Sequence, residues 1–356
     1  TRVAFWINMV SVVASAFTVL FLFWTIIMAG RKLIGAVKGE ETPIQTILLI
    51  GAGAIGALSF AFTDSFWFSA VEGEVYAMSS FFTAFVFWAM LKWELVEDES
   101  QANKWIILIA YMLGLSIGVH LLGLVTLPAL GLIYYFKKYK KVTKWGILAT
   151  LGLSGFFIIL INNFLIPGLP TLAGKFEITF VNSFGLPFGS GALFMTALFI
   201  SALVFGIRYT IKHSHVNLNT ILVSLTFILI GYASYGVILV RSNANPPIDQ
   251  NNPENVMTFV SYLLREQYGD RPLMYGKYFT AQQVSNERGK PVYAKGEDKY
   301  EIVDYKVNVE YDKENQGFMP RMWRNTPGDV AKYREVTGLR QGEKPSFIDN
   351  MTFMFS

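Results

Sequence analysis

The chain has 356 residues, 53% of them apolar, with a mean hydropathy of +0.38 and only 16% charged side chains against about 25% in soluble domains. That balance excludes an ordinary soluble enzyme. The net charge of +4 follows from lysine-rich connectors and needs no nucleic acid to explain it, and the absence of cysteine excludes disulfide staples and thiolate metal sites.

From Val3 to Val240 the chain reads as eight apolar spans: Val3–Gly30, Pro43–Phe62, Phe66–Leu91, Trp105–Val119, Leu121–Phe136, Trp145–Ile161, Gly191–Ile207 and Asn219–Val240. Most reach the length that a bilayer core of about 30 Å requires of a helix. Trp105–Val119 and Leu121–Phe136 are short, nearer ~24 Å each. Merging them would move the lysines that follow to the other side, so two short spans meeting near His120 are expected. Non-helical backbone at that depth must be buried or line a wet cavity, so the pair predicts a recess with His120 near its floor.

The connectors alternate in charge. Arg31, Lys32, Lys38, Lys92, Lys104, Lys137, Lys138, Lys140, Lys141, Lys144, Arg208 and Lys212 all fall on one side, and only Lys175 on the other. The positive-inside rule places the basic side in the cytoplasm. The other face then looks into the periplasm or its equivalent.

Asn162–Ser190 is rich in glycine and proline yet still apolar, and is expected as a loop folded back over the membrane surface or partly into it. After Val240 the composition changes. Arg241–Ser356 carries 16 basic and 16 acidic residues. Asn252 and Pro253 read as the cap and first residue of a helix that runs to about Tyr268 and stops at Gly269. Tyr300–Tyr311 alternates like a strand. The expected organisation is a transmembrane helical domain over 1–240 and a small mixed α/β extracytoplasmic region over 241–356, cut from something longer at both ends.

The strongest chemical signal is Thr63-Asp64-Ser65-Phe66-Trp67-Phe68-Ser69-Ala70-Val71-Glu72-Gly73-Glu74-Val75-Tyr76, with three carboxylates and no cation between apolar spans. Ionisable groups at membrane depth usually face a cavity or a partner. On a helix starting near Phe66, the residues Ser69, Glu72, Tyr76, Ser79 and Thr83 would share one stripe, with Glu74 pointing elsewhere. Such a carboxylate in an outer cavity can take a proton from an acceptor hydroxyl. The bland alternative is a pair of interfacial glutamates marking where the helix enters. His120, among small residues in Gly114–Gly123, is either a proton-transferring group or a packed histidine bonded to a neighbouring carbonyl. Arg241 ends the last span against the charge bias. It suits a lipid phosphate, which its planar fork grips at two points, or else it snorkels as an anchor. Asn243 and Asn245, in the proline-rich turn after it, can offer amides to sugar hydroxyls. Three histidines without cysteine argue against a transition-metal site. Pro320-Arg321-Met322-Trp323-Arg324 sets cations beside an aromatic, facing substrate or headgroups on one reading and packed on the surface on the other. The sequon Asn350-Met351-Thr352 is read as chance.

Four strings, "FTDSFWFSAVEGEVYAMSSFFTAFVFWAMLKWE", "GLSIGVHLLGL", "LAGKFEITFVNSFGLPFGSG" and "SNANPPIDQNNPENVMTFVSYLLREQYGDRPLMYGKYFTA", resemble the domain-of-unknown-function family 2723. That family is abundant in Bacteroidetes, and its eukaryotic relatives are membrane protein O-mannosyltransferases. The resemblance implies an all-α, GT-C-like polytopic fold in the bacterial inner membrane. It also implies a polyprenyl-phosphate sugar donor, a Ser or Thr acceptor on an exported protein, and lipids as surroundings. By this resemblance Glu72 or Glu74, with His120, would be catalytic, and Asp64, Tyr76, Arg241, Asn243 and Asn245 would bind substrate. No resident cofactor is implied, and the need for a divalent ion stays open. The chain lacks the Asp-Cys-Gly-Glu and Gly-His-Pro-Pro strings usual in the family's first outer loop, so its principal acid is expected outside these residues, which counts against Glu72 as the base. The rival reading is a non-catalytic scaffold subunit of an export or surface-assembly complex. A transporter would be expected to show inverted repeats, and none is seen.

Overall fold

The computed structural model describes residues 2–37, 39–266, 272, 274–322 and 324–356. Lys38, Tyr268, Gly269 and Trp323, which figure in the reading above, lie outside them. Among the described residues eight helical stretches are long and apolar enough to cross a bilayer, matching the number of spans expected and making this a multi-pass membrane protein. The helices in chain order are α1 (Arg2–Leu33), α2 (Pro43–Ala61), α3 (Asp64–Val71), α4 (Val75–Leu95), α5 (Glu99–Val119), α6 (Leu127–Lys138), α7 (Lys144–Leu160), α8 (Ile166–Ile178), α9 (Ser190–Lys212), α10 (Val216–Tyr232) and α11 (Gly236–Ser242). The chain divides into two compact units, Thr1–Leu169 with Met195–Ala244, and Pro170–Phe194 with Asn245–Ser356.

Three expectations about the spans change. The expected span Phe66–Leu91 is broken into α3 and α4. Glu72 (φ −101°, ψ 142°) and Glu74 (φ −111°, ψ 166°) are extended. Between them Gly73 lies against α1, where a Cβ would meet Ile7 at 2.5 Å. The stripe of Ser69, Glu72, Tyr76, Ser79 and Thr83 therefore shares no single helix.

The first of the two short spans is not short. Asp98 caps α5 by accepting from Ser100 N (2.7 Å) and Gln101 N (3.2 Å), so the helix starts at Glu99 and runs 21 residues, enough for ~30 Å. The break at His120 stands where expected (φ −163°, ψ 141°), followed by a 3-10 turn over Leu121–Thr126 and then α6.

The expected surface loop Asn162–Ser190 is helical as far as Ser183, through two π-helical turns, Ile161–Leu165 and Thr179–Ser183, on either side of α8. Pro170 sits inside α8 and has no N–H for the carbonyl of Ile166. The Tyr232 hydroxyl donates to that carbonyl instead, at 2.9 Å, so the proline is tolerated as it is in membrane helices.

Within the first unit the helix ends sort into two groups. α1 and α4 run side by side in the same direction, with ring pairs Phe17–Phe81 (6.3 Å), Phe21–Phe85 (5.0 Å) and Trp24–Trp88 (5.7 Å). At one end Lys32 pairs with Glu94, Arg31 pairs with Glu41, and Lys138 meets Glu99 at 2.5 Å. Lys137 Nζ donates to the carbonyls of Trp93 and Val96, both at 2.6 Å, and so caps α4. At the other end Gly73 meets α1, and the Tyr76 and His120 rings lie 5.9 Å apart. The lysine-rich ends and the carboxylate corner are thus at opposite ends. α5 and α10 touch backbone to backbone: a Cβ on Gly114 would lie 2.2 Å from Ile228 O, and one on Gly231 2.5 Å from Leu115 N.

The second unit is mixed, as expected for the tail. Its later elements are α12 (Val256–Leu263), β1 (Tyr275–Lys277), β2 (Gln283–Lys295), β3 (Tyr300–Tyr311), β4 (Gln316–Phe318), α13 (Pro327–Thr337) and α14 (Phe347–Phe355). β1 pairs with β4 and β2 with β3, both antiparallel. The strand β3 has the bounds read from its alternation. The helix cap moves from Asn252 to Asn255, because Asn252 is left-handed (φ 41°) while Asn255 accepts from Met257 N and Thr258 N at 3.0 and 3.1 Å. Phe279, Met322 and Tyr333 form the core against Val330 and Phe353. Asn350 is fully buried and accepts from the Tyr333 hydroxyl at 3.0 Å, which leaves the sequon closed to modification in the folded chain.

Candidate functional site

The corner between α3 and α4 gathers the residues singled out in the first unit. Asp64 opens α3, Glu72 follows its last residue, and Glu74 precedes α4; all three are exposed. Among the described residues none of the three carboxylates enters an ion pair or accepts a side-chain hydrogen bond. Tyr76, in the first turn of α4, is 51% exposed and its ring faces His120. His120 Nδ1 accepts from Leu122 N at 3.1 Å and caps the 3-10 turn. A neutral ring that accepts at Nδ1 carries its hydrogen on Nε2, so Nε2–H is the donor left to the solvent side. The partner is a backbone N–H, and not the carbonyl that the packed alternative supposes.

A groove of about 550 Å³ begins beside this corner. Leu122 and Val125 of the 3-10 turn wall one side, Phe60 of α2 another, and Thr18, Ser80 and Phe87 of α1 and α4 the rest. His120 stands just outside it, two residues from Leu122, so the recess lies against the 3-10 turn, with the histidine at its edge and not at its floor.

Arg241 and Asn243 belong to the same unit. Gly118 of α5 meets Ser234, and α11 continues beyond it, so both residues project past the His120 end. Arg241 is exposed, and no ion pair joins it to Glu72 or Glu74 among the described residues. Asn243 donates its amide to Leu239 O at 2.8 Å. Asn245 is left-handed (φ 49°) and belongs to the second unit.

One carboxylate of note escaped sequence reasoning. Glu177 is wholly buried. Its Oε1 accepts from Gly189 N (2.5 Å) and the Tyr300 hydroxyl (3.2 Å), and its Oε2 accepts from Gly191 N and Ala192 N (both 3.1 Å). Asn182 completes the junction: its amide donates to Tyr300 O at 2.8 Å, and its carbonyl accepts from Tyr300 N at 2.9 Å. Burial, with the Glu177 charge beside it, raises the Tyr300 hydroxyl well above the usual tyrosine range. A signal was present: Glu177 is the sole Asp or Glu between Glu99 and Asp249. Its four donors leave it saturated, a structural tie that fixes the β2–β3 hairpin to the start of α9. Among the described residues no three His, Asp or Glu side chains are grouped as a metal ion needs.

Residues 1–143 match the family model for the N-terminal domain of the protein O-mannosyl-transferase TMEM260. Residues 269–355 match a family of unknown function, DUF8416. No curated protein and no solved structure matches the chain.

Proposed function

We propose that this chain is a membrane glycosyltransferase of GT-C type that moves a sugar from a polyprenyl-phosphate carrier to Ser or Thr hydroxyls of exported proteins. The observation that carries the reading is a coincidence of extents. The match to the O-mannosyl-transferase domain spans residues 1–143, and the α3–α4 corner, His120 and the whole groove fall inside it. The groove, apolar and set among spans, suits the isoprenoid chain of a donor whose head lies at the corner.

In this mechanism the acceptor oxygen attacks the anomeric carbon and the bond to the carrier phosphate breaks. Polyprenyl phosphate leaves as an anion, and the hydroxyl proton passes to Glu72 or Glu74. A cation at the departing phosphate lowers the barrier, and Arg241 is the candidate. His120 Nε2–H and Tyr76 orient the sugar head, with Asp64 and Asn243 offering further polar contacts. The corner then lies on the periplasmic side of the inner membrane, the basic ends on the cytoplasmic side. Glycoproteomics of exported proteins, with the gene deleted and then restored as wild type, Glu72→Gln or Glu74→Gln, tests this. Loss of glycopeptides on deletion is expected; unchanged glycans remove the enzyme and leave a scaffold.

A further inference from the structure

The basic end of the first unit holds a second cavity, of about 270 Å³, where the end of α4, the start of α5, the end of α6 and the start of α10 meet. Glu97, Glu99, Asn103, Lys137, Lys138 and Asn217 line it. The Trp93 and Tyr134 rings, stacked at 5.3 Å and 14°, form its back wall. Lys137 Nζ lies 4.3 Å above the Trp93 ring and spends two of its three N–H donors on the α4 carbonyls. Glu97, Asn103 and Asn217 make no side-chain hydrogen bond or ion pair among the described residues.

We infer that this cavity takes the head of a membrane phospholipid that carries both a phosphate and a primary ammonium, as phosphatidylethanolamine does. Position argues first. The cavity sits where membrane spans end in lysines, with a Trp–Tyr pair at the depth where such rings meet headgroups. Ile221, on its rim, is 62% exposed and offers an acyl chain a surface to lie on. Charge argues second. The remaining Lys137 donor and the two Lys138 donors not spent on Glu99 suit phosphate oxygens, while the unpartnered Glu97, with the second oxygen of Glu99 beside it, suits an ammonium that donates hydrogen bonds. A choline head has no N–H to give them. A glycerol head leaves Glu97 without a cation, since Glu99 already pairs with Lys138. Capping of α4 by Lys137 and the Lys138–Glu99 pair account for those three residues and leave Glu97, Asn103 and Asn217 unexplained.

Native mass spectrometry of the purified full chain, offered equal amounts of phosphatidylethanolamine, phosphatidylglycerol and phosphatidylcholine, tests the site. About tenfold stronger retention of the ethanolamine lipid is expected, the value of one charge-assisted hydrogen bond. Glu97→Gln with Glu99→Gln should bring it down to the choline lipid while leaving the glycerol lipid bound. Lys138→Gln should weaken the ethanolamine and glycerol lipids together. Should a variant fail to fold, the wild-type ratio decides alone. Equal retention of the three lipids overturns the proposal. So does soluble phosphoethanolamine binding as tightly as the lipid, which would make the cavity a site for a water-borne ligand.

Discussion

Glu72 and Glu74 at the α3–α4 corner and Glu177 beneath the β2–β3 hairpin are the same type of group put to opposite uses. The corner carboxylates stand exposed on extended backbone with no partner among the described residues, whereas Glu177 is sealed from solvent and accepts from four donors. A carboxylate whose lone pairs are all engaged has none left for a substrate proton, and removing it orphans its donors. An unengaged one contributes little to folding and is open to chemistry. The contrast separates the two roles by environment alone, since both stretches are apolar and glycine-containing.

The largest effect that can break this contrast is on transfer. Replacing the working base at the corner, by Glu72→Gln or Glu74→Gln, should lower glycopeptide formation by about 10²–10⁴-fold. Thermal unfolding of the same variants should move by no more than about 0.5 kcal/mol. If neither variant changes transfer, the corner is only solvated surface. Next comes Glu177→Leu, which strands three backbone N–H groups and a hydroxyl and should destabilise the second unit by about 3 kcal/mol. Faster hydrogen exchange across Tyr300–Tyr311 would register it, and unchanged protection would refute the tie.

Tyr300→Phe is milder, at about 1 kcal/mol, because the paired bonds to Asn182 survive. It also has a pH signature. A hydroxyl raised in the folded state contributes stability that is fully present below the ordinary tyrosine value near ~10 and is lost as pH rises beyond it. The wild-type hairpin should therefore loosen in alkali, and the phenylalanine variant should lack that step. Smallest is Lys32→Gln, which removes the pair with Glu94. Lys32 is exposed, so the change should stay below about 1 kcal/mol in a thermal melt.

The spans were legible because bilayer thickness imposes a length that few other structures require, and β3 because side-chain alternation is local. What the sequence hid were contacts made at a distance. The break at Glu72–Glu74 follows from Gly73 meeting α1, a packing event no window around residue 73 reveals. Proline and glycine usually break helices, so Asn162–Ser190 has the composition of a loop. The Tyr232 hydroxyl, more than sixty residues on, replaces the bond Pro170 lacks. Asn252 and Asn255 are both plausible caps, and only the left-handed backbone at Asn252 decides between them. At the site, charge pattern marked Glu72, Glu74 and Arg241 as candidates, but not that the carboxylates stay unengaged. It passed over Glu177, whose isolation in the sequence was itself the clue.

The backbone contact of α5 with α10 bears on how the protein is made. Gly114 presents bare backbone to α10, in the last of the eight spans among the described residues, so in a nascent chain that face lacks its α10 partner until more than a hundred further residues are synthesised. Ordered threading of the spans into the bilayer cannot finish this contact as it goes. A bulkier residue at Gly114 or Gly231 should therefore show itself in biogenesis, as full-length polypeptide that inserts yet is cleared by membrane proteases before it matures.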